Sequence, residues 1–511
     1  MTKKFTSTIA GASILITGVG LLSRGVGFFR EIIFANYFGL SSQFDQYLLS
    51  TVLPVTINTV VLYIAQNYLI PNYNRLKESS SDESIEFLSR TFWSFVLIGF
   101  LVFLIFFFFA ESIIGLYFSG SDSNSILSTV KIFRIFIITI PLNAAVSVLA
   151  AYLQAELEFK FPSFSQLLLN VSVIFLVIIS TKEIGIYSIP AGYVIGTILQ
   201  LGYLLFYVRR IFSINYLFRK RAKLFSLNFS FLLVILIEAI SQVYLIADRI
   251  LYEYVPAGSV AALNYAFNVY LLPVSIISMA ISIAIFPHLS RTFSLGSIDE
   301  LSSKLNNFFT VNSFLFIPIT FIFFFYGDVI IQLLFMRGAF TSDDSKITFE
   351  VLKIYSISLL FYSSYSVLNK LLYSSNMIKQ LALITVAGCI IKVVLNFVLV
   401  HYYQHLGLAL GTVFSFLFFF ISAFLITVYK LKAASLKNFL KELIFIVAIG
   451  LISFLFVTVS GINSVTKSVV LNGLLSIILF SAVFFINAIL LNLKSIELLL
   501  SVFKVKLISL K

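Results

Sequence analysis

The sequence predicts an all-α integral membrane protein with about fourteen transmembrane helices, and three observations predict this fold class. Hydrophobic residues make up 60% of the 511 residues and charged residues only 11%, less than half the charged share of an ordinary globular domain. Apolar runs long enough to cross a bilayer as helices recur along the whole chain. An internal repeat divides most of these helices into two halves.

The apolar runs follow one another with short polar segments between them. The predicted spans are 9–38, 47–71, 91–118, 130–154, 163–181, 186–209, 228–252, 260–287, 309–335, 350–373, 381–403, 406–429, 440–461 and 468–493. The first span is far longer than the apolar region of about 7–15 residues in a signal peptide, so we expect it to be retained as a helix.

The basic residues predict the orientation. With the N-terminus in the cytoplasm, about two dozen Lys and Arg fall on the inner side and about four on the outer side. The densest inner groups are Arg209, Arg210, Arg219, Lys220, Arg221 and Lys223, and Lys430, Lys432, Lys437 and Lys441. The outer four are Lys182, Arg337, Lys346 and Lys467. This asymmetry predicts a multi-pass protein with both termini in the cytoplasm, and the formal net charge of +13 reports that topology rather than nucleic-acid binding.

Several function classes are disfavoured by what the sequence lacks. The single cysteine, Cys389, excludes an internal disulfide framework, and three scattered histidines (His288, His401 and His405) do not predict a metal site. The glycine-rich stretch GVGLLSRGVG at 18–27 lies within a predicted membrane helix and follows no strand, so it is not a nucleotide-binding loop. The sequence therefore predicts neither an enzyme nor a bound cofactor.

Four pairs of short segments match at an offset of about 216–219 residues. They are SRGVGFFRE with SQVYLIADR, YLLSTVLP with NVYLLP, IPNYNR with FPHLSR, and FFFFAESIIGLYF with IFFFYGDVIIQLLF. The offset spans an even number of helices, so the two halves share one orientation. We predict a six-helix lobe at 1–215, a second six-helix lobe at 216–432, a two-helix appendage at 433–511, and a cavity between the lobes.

The opening LLSRGVGFFREIIFANYFGLSSQFDQYLLSTVLP resembles that of the MurJ (MviN) lipid II flippases of the multidrug/oligosaccharidyl-lipid/polysaccharide exporter superfamily. Matches in the family's order continue with PAGSVAALNYA, IFPHLSRTF, LLFMRGAFTSDD and LGLALGTVFS. The resemblance implies fourteen helices, a V-shaped central cavity and alternating access. It also implies transport of an undecaprenyl-pyrophosphate-linked sugar, first of all the peptidoglycan precursor lipid II, to the outer leaflet of the bacterial cytoplasmic membrane.

The family's functional positions are present only in part. Its two first-helix arginines correspond to Arg24 and Arg30, and its acidic residue at the start of helix two corresponds to Asp45. An arginine pair of helix two is absent from VTINTVVLY, and YAFNVYLLP lacks the Asp-Arg-x-x-Glu cluster of helix eight. A flippase for another lipid-linked glycan, such as an O-antigen or exopolysaccharide unit, is therefore one alternative. A drug or cation antiporter of the same superfamily is a second, weaker one.

Charges inside the first span call for a physical explanation, because an intramembrane charge costs several kcal/mol. Arg24 and Glu31 share a helix face about 10 Å apart along the axis, which is too far for an ion pair. Neither Arg24 nor Arg30 has a partner at helical spacing within that helix. Because a guanidinium binds phosphate through two parallel hydrogen bonds, we expect Arg24 and Arg30 to line the cavity and bind the pyrophosphate. The alternative is that Arg30 and Glu31 snorkel to the surface while Arg24 pairs with an acid of another helix.

Other charged residues leave more than one interpretation open. Asp45 follows a small-residue turn and is explained either as an exposed loop acid or helix N-cap or as a substrate-binding residue, and Glu31 is a further candidate for binding substrate. Asp248 and Arg249 form a neutralised pair or bind substrate or cation, with Glu238 on nearly the same helix face as Arg249. Membrane lipids and a coupling ion, Na⁺ or H⁺, are further expected partners. Lysines in or beside helices ten and eleven are expected to snorkel or lie at the interface: Lys353, Lys370 and Lys392.

Overall fold

The structure of the chain is a computed structural model. It describes residues 9–116, 123–208, 236, 238–242, 244, 247–249, 251–278, 289, 291–293, 295–375, 377–462, 465–491 and 493–499. Regular secondary structure in these ranges is entirely helical.

The long helices are labelled α1 to α13 in chain order. They are α1 Ile9–Phe38, α2 Ser42–Ser79, α3 Ser81–Phe108, α4 Ser123–Ala155, α5 Lys160–Ile184, α6 Ser188–Val208, α7 Ser259–Ser278, α8 Ile298–Phe335, α9 Ser342–Ser356, α10 Leu359–Ser374, α11 Ile378–Tyr429, α12 Leu436–Val459 and α13 Val469–Leu490. Among the described residues, nine helical stretches are long and apolar enough to cross a membrane, or ten when the bent pair α9 and α10 is taken as one span.

The observed helices are compatible with the fourteen predicted spans, although they do not establish that number. The helical stretch 160–208 covers two predicted spans, which are separated at Gly185, where φ is +56°. Helix α11 also covers two, with non-helical dihedral angles at Gln404. Helices α9 and α10 meet at a bend of 52°. Much of the predicted span 228–252 lies outside the described residues.

The chain divides into two compact units. The first comprises Met1–Ala261 and Arg337–Phe340, and the second comprises Ala262–Met336 and Thr341–Lys511. The predicted lobe boundaries at 215 and 432 stay a prediction.

The first unit is held together by apolar side chains of α2, α3, α4 and α6. Its core includes Leu69, Leu88, Leu149 and Leu204, each of them fully buried. Small residues bring α5 and α6 close together: the position of a Cβ on Gly192 would be 3.0 Å from the Cα of Val173. Close approach at small residues is how membrane helices gain van der Waals contact, since lipid tails are as apolar as the side chains.

The second unit combines an aromatic core with a small buried polar cluster. The Phe309 ring meets Phe424 of α11 and Phe439 of α12 edge-on, with centroids 5.3 and 5.4 Å away. Asn312 of α8 donates hydrogen bonds to the hydroxyls of Ser363 (2.7 Å) and Ser364 (2.9 Å) of α10. Such bonds satisfy polar groups that lipid cannot.

Large apolar side chains also cover outward surfaces of the helices. On α3 they are Leu97, Ile98, Leu101, Ile105 and Phe108. A soluble protein seldom exposes so many in one patch, whereas a helix that faces lipid must. The surface therefore agrees with an integral membrane protein.

Gly338 lies where the chain passes close to the C-terminal half of α1. Its φ is +57°, the neighbouring Ala339 N–H donates to the Asn36 carbonyl (2.8 Å), and a Cβ would overlap that same carbonyl. We predict that Gly338→Ala lowers the unfolding free energy by more than about 2 kcal/mol, because a left-handed residue with a Cβ costs about 1–2 kcal/mol and overlap adds to it. Thermal unfolding of the purified protein in detergent measures this.

Gly296→Ala is the matched control for Gly338→Ala. Gly296 also has a positive φ, +71°, but a Cβ there would meet no atom within 4 Å among the described residues. It should show only the backbone cost of about 1–2 kcal/mol. Equal losses in the two variants would contradict the close approach at Gly338.

Glu156, in the turn after α4, accepts hydrogen bonds from Lys77 Nζ (2.6 and 2.8 Å) and from the Tyr73 hydroxyl (2.7 Å). Burial alone would raise the pKa of Glu156, but the hydrogen bonds and the charge of Lys77 outweigh it and hold the pKa below its ordinary value. A carboxylate with a lowered pKa stabilises the fold at neutral pH, and the contribution disappears as pH falls through that lowered pKa. We predict that Glu156→Gln lowers the melting temperature at pH 7 and that the difference from the intact protein shrinks on acidification. Glu158→Gln is the control, because Glu158 forms an exposed pair with Lys160, and it should lower the melting temperature less. A Glu156→Gln difference that grows toward acid pH would contradict this account.

Candidate functional site

The first unit contains a cavity of about 540 Å³. Its walls are built by α1, α2, α4, α5 and α6, with each helix contributing one face. The size falls within the range of about 300–1,000 Å³ typical of small-molecule sites.

Arg24 is the only charged side chain among the described residues that line the cavity. It lies on α1, one residue after Ser23 and about one turn after Gly20, both of which also line the cavity. A guanidinium in this position faces a polar, open volume, which removes most of the cost of placing it inside a membrane helix. Arg24 thus lines a cavity within the first unit, whereas the sequence-based hypothesis places it in a cavity between the lobes, and its role stays a prediction.

Side-chain amides dominate the remaining polar lining. They come from four helices and are Asn58, Gln66, Asn143, Gln154, Gln166 and Gln200. Asn58 donates to the Thr139 hydroxyl (3.3 Å) and Gln200 donates to the Ser165 hydroxyl (3.2 Å). The other four amides make no side-chain hydrogen bond to any described residue. Each amide can donate and accept, so the cavity offers both functions to a polyhydroxylated or peptidic ligand.

These amides were not predicted from the sequence, although a signal for them was present. On α4 the cavity residues include Thr139, Asn143, Ser147, Ala150 and Gln154, spaced by four, four, three and four residues. That spacing places them on one face of a helix, so a polar stripe on an otherwise apolar span indicates a wet interior face. Gln66 belongs to the π-helical segment Ala65–Leu69 of α2, and such segments are frequent at functional sites.

Arg30 is placed differently from Arg24, since it is not among the described residues that line the cavity. Its guanidinium contacts the adjacent Glu31 carboxylate (2.7 Å), so it does have an acidic partner within α1. It also donates to the Asn170 side chain (2.9 Å) and stacks against the rings of Phe34 and Tyr193 at 5.5 and 5.4 Å. Glu31 is adjacent to Arg30 rather than three or four residues away, so the statement about helical spacing still holds; the two long side chains bend together although adjacent positions point apart on an ideal helix.

The Arg30–Glu31 pair does not snorkel to the surface either. The side chains are 19% and 9% exposed, and the residues around them belong to α1, α5 and α6. Since Tyr193 lines the cavity, the pair lies directly behind the cavity wall. Arg30 therefore contacts residues of the cavity wall and does not face the interior of the cavity.

Asp45 is fully buried, so the expectation of an exposed loop acid was wrong. Its two carboxylate oxygens accept hydrogen bonds from the backbone N–H of Gly258 (2.5 Å) and Ala261 (2.7 Å), at the start of α7. A carboxylate at a helix N-terminus satisfies unpaired N–H groups and interacts favourably with the helix dipole. Asp45 is therefore an N-terminal cap, but for a helix more than 200 residues later in the chain.

Arg249 lies near the same place, since it donates to the backbone carbonyl of Leu48. Asp248 is partly exposed beside it. Leu48 and Asp45 are both in the first turns of α2, so the structure brings Asp45 and Arg249 into one region. It does not bring them into the cavity lined by Arg24.

One lysine of the second unit differs from expectation. Lys392 is 1% exposed, so it does not snorkel. The Lys353 ammonium lies over the Phe324 ring at 4.8 Å, whereas Lys370 is exposed. Within the described part of the chain, His, Cys, Asp and Glu do not gather into a group that could hold a metal ion.

Comparison with known proteins places these features in a family context. A model of the family described as lipid II flippase MurJ matches residues 34–482. The probable lipid II flippase MurJ of Borreliella burgdorferi is 27% identical over 422 residues, covering 80% of this chain and 81% of that protein. The lipid II flippase MurJ of Thermosipho africanus is 26% identical over 491 residues, covering 94% and 97%.

Two solved structures show the same fold. A lipid II flippase MurJ in an inward closed conformation matches with a TM-score of 0.75 at 24% identity, over 93% of this chain and 100% of that one. An inward-facing multidrug resistance transporter of the MATE family in the MOP superfamily matches with a TM-score of 0.66 at 12% identity, over 82% and 98%. The all-helical membrane fold predicted from the sequence is thereby confirmed.

The Asp45 cap makes a direct stability prediction. Asp45→Ala leaves two buried N–H groups of α7 without acceptors, and each hydrogen bond to a charged group contributes about 1.5–3 kcal/mol. We expect a loss of about 3 kcal/mol or more in unfolding free energy, with a smaller loss for Asp45→Asn, which keeps one acceptor oxygen. Thermal unfolding in detergent measures both, and Asp343→Asn, at an exposed first-turn acid paired with Lys346, serves as control. Similar shifts at positions 45 and 343 would contradict the cap.

Proposed function

The chain belongs to the MurJ lipid II flippase family, and from this premise we propose that it carries lipid II from the inner to the outer leaflet of a bacterial cytoplasmic membrane. The cargo is an undecaprenyl-pyrophosphate-linked sugar. Transport proceeds by alternating access between two six-helix lobes, with the N- and C-termini in the cytoplasm. The protein acts as a transporter and not as an enzyme.

The observation that carries the proposal is the cavity whose described lining has Arg24 as its only charge. A pyrophosphate cannot cross hydrocarbon without a counter-charge, and a guanidinium supplies one with two parallel hydrogen bonds. The cavity amides supply donors and acceptors for sugar hydroxyls and peptide groups. Arg24 thus binds the pyrophosphate while the amides bind the rest of the headgroup.

The other charged residues of α1 have a supporting part in this proposal. Arg30, held by Glu31 and Asn170, fixes the wall that carries Tyr193. Asp45, Asp248 and Arg249 lie outside this cavity. Asp45 holds the start of α7 against α2, and Arg249 binds the α2 carbonyl of Leu48.

The same cavity argues against a cation or drug antiporter. Such a transporter needs an acidic group for a cationic cargo, and the described lining of this cavity contains no carboxylate. Flippases for other lipid-linked glycans share the pyrophosphate and are separated only by their sugars. The chain's departures from the family's charge pattern in the second and eighth spans make this the alternative to test.

Energy for outward movement comes from the membrane rather than from a nucleotide. An inside-negative potential favours the exit of an anion by about 2.3 kcal/mol per charge per 100 mV. A Na⁺ or H⁺ gradient completes the cycle by returning the empty carrier. Dissipating the potential in proteoliposomes should therefore slow transport.

Complementation of cells depleted of their own lipid II flippase tests both the identity of the substrate and the role of Arg24. The intact chain should restore wall synthesis, and Arg24→Ala should lower the flipping rate about 10- to 100-fold, since a hydrogen bond to a charged group contributes about 1.5–3 kcal/mol. Arg24→Lys keeps the charge but loses the bidentate geometry, so its rate should lie between the two. Surface amounts of each variant are measured in parallel by labelling in intact cells.

The matched control is Arg134→Ala, which removes an exposed pair with Glu111 away from the cavity. Its rate should stay near that of the intact chain. Normal insertion with full export by Arg24→Ala would overturn the role of Arg24. Export of an O-antigen unit without rescue of wall synthesis would overturn lipid II as the cargo.

A further inference from the structure

The second unit contains a separate polar cavity of about 220 Å³ at one end of its helices. It is formed by the start of α12, by the α8 segment around Asn306 and Thr310, and by Lys494 after α13. Phe309 and Phe439, whose rings pack edge-on at 5.4 Å, form its apolar floor. In the predicted orientation this end faces the cytoplasmic leaflet.

Two lysines line this cavity without an acidic partner among the described residues. Lys441 belongs to the second turn of α12 and Lys494 follows α13, so the two ammonium groups come from separate elements. Neither makes an ion pair or hydrogen bond to the described part of the chain, and the same is true of Glu442, which also lines the cavity. The site therefore carries two cations and one anion, a net positive charge.

A buried hydroxyl faces the same cavity. Thr310 is 5% exposed and makes no hydrogen bond within the described ranges. Thr320 and Thr427 of this unit differ from Thr310, because each hydroxyl donates to the backbone carbonyl four residues earlier. The Thr310 hydroxyl is therefore available to donate a hydrogen bond to a ligand in the cavity.

Backbone groups at the start of α12 add to this potential. Ser435 caps that helix by accepting from Asn438 N–H, and the positive end of the helix dipole is directed to the same side as Lys441. Phosphate groups bind readily at such helix N-termini. The dipole, the lysines and the hydroxyl thus favour one kind of ligand, an anion with several acceptor oxygens.

The surroundings indicate that this ligand comes from the bilayer. The first turns of α12 expose Leu436, Leu440 and Ile444 next to the cavity residues. A ligand whose phosphate enters the cavity can therefore lay acyl chains along this apolar surface. Basic pockets between membrane helices on the cytoplasmic side are where anionic lipid headgroups bind.

We propose that this cavity binds the phosphate of an anionic phospholipid of the inner leaflet. Lys441 and Lys494 neutralise the phosphate, and Thr310 and Asn438 donate hydrogen bonds to it. The bound lipid fastens the start of α12 to α8 and to the segment after α13. This site lies in the second unit and is independent of the cargo assigned to the Arg24 cavity.

Native mass spectrometry of the full chain in detergent tests the proposal. Phosphatidylglycerol should bind the intact protein more tightly than phosphatidylcholine of the same chain length, and equimolar inorganic phosphate should not displace it. Lys441→Gln with Lys494→Gln should weaken phosphatidylglycerol binding about 30-fold, from about fivefold for each basic residue near an anionic headgroup. Thr310→Val should weaken it about fivefold through the lost hydrogen bond.

Lys437→Gln is the matched control, because Lys437 is an exposed lysine one turn earlier on α12 that does not line the cavity. It should leave the affinity near that of the intact protein. An equal loss in Lys437→Gln would overturn the site in favour of general surface charge. Displacement by inorganic phosphate, or equal binding of phosphatidylcholine, would overturn the anionic-lipid assignment.

A second measurement needs no substitution. A phosphatidylglycerol with a photoreactive headgroup should crosslink the intact chain at 436–442 or around 494, as mapped by peptide mass spectrometry. Crosslinks confined to other segments would overturn the proposal even if the lysine variants do not fold. Because neither lipid-binding experiment involves transport, a negative result in either leaves the flippase proposal unaffected. Loss of flipping in Arg24→Ala likewise leaves the lipid-site proposal unaffected.

Discussion

The constraint on which this structure depends is that a guanidinium can remain charged inside a membrane helix only where it meets water or polar groups. Arg24 satisfies that constraint by facing a cavity lined with amides and hydroxyls from five helices. The polar faces of α2, α4, α5 and α6 therefore have to converge on α1, and their opposite faces have to be apolar enough for lipid. One charge thus explains the arrangement of polar helix faces in the first unit.

Charges elsewhere in the first unit meet the same constraint by pairing. Arg30 is neutralised by Glu31, bound by Asn170 and stacked on two rings, and Asp45 accepts two backbone hydrogen bonds at the start of α7. These groups have their hydrogen bonds satisfied by the protein, so they stabilise the fold and have little capacity left for a ligand. The two arginines therefore differ in placement, because Arg24 lines the cavity whereas Arg30 lies behind its wall.

The helical membrane fold could be predicted from the sequence because apolar length and the distribution of basic residues are local signals. Arg24 could be identified in the same way, since an intramembrane charge is conspicuous in any apolar span. Asp45 could not be placed, because its partners Gly258 and Ala261 are joined to it only by tertiary packing. The sequence also did not predict that Lys392 is buried or that the amides share one cavity. Both depend on how helices pack and not on the composition of one span.

The most direct test of the central claim is an experimental structure of the full chain with lipid II bound. The account predicts that the pyrophosphate lies within hydrogen-bonding distance of the Arg24 guanidinium, with headgroup atoms against amides of α4 and α5, and that the Arg30–Glu31 pair is kept. A pyrophosphate bound away from Arg24, with the first-unit cavity free of headgroup atoms, would contradict it.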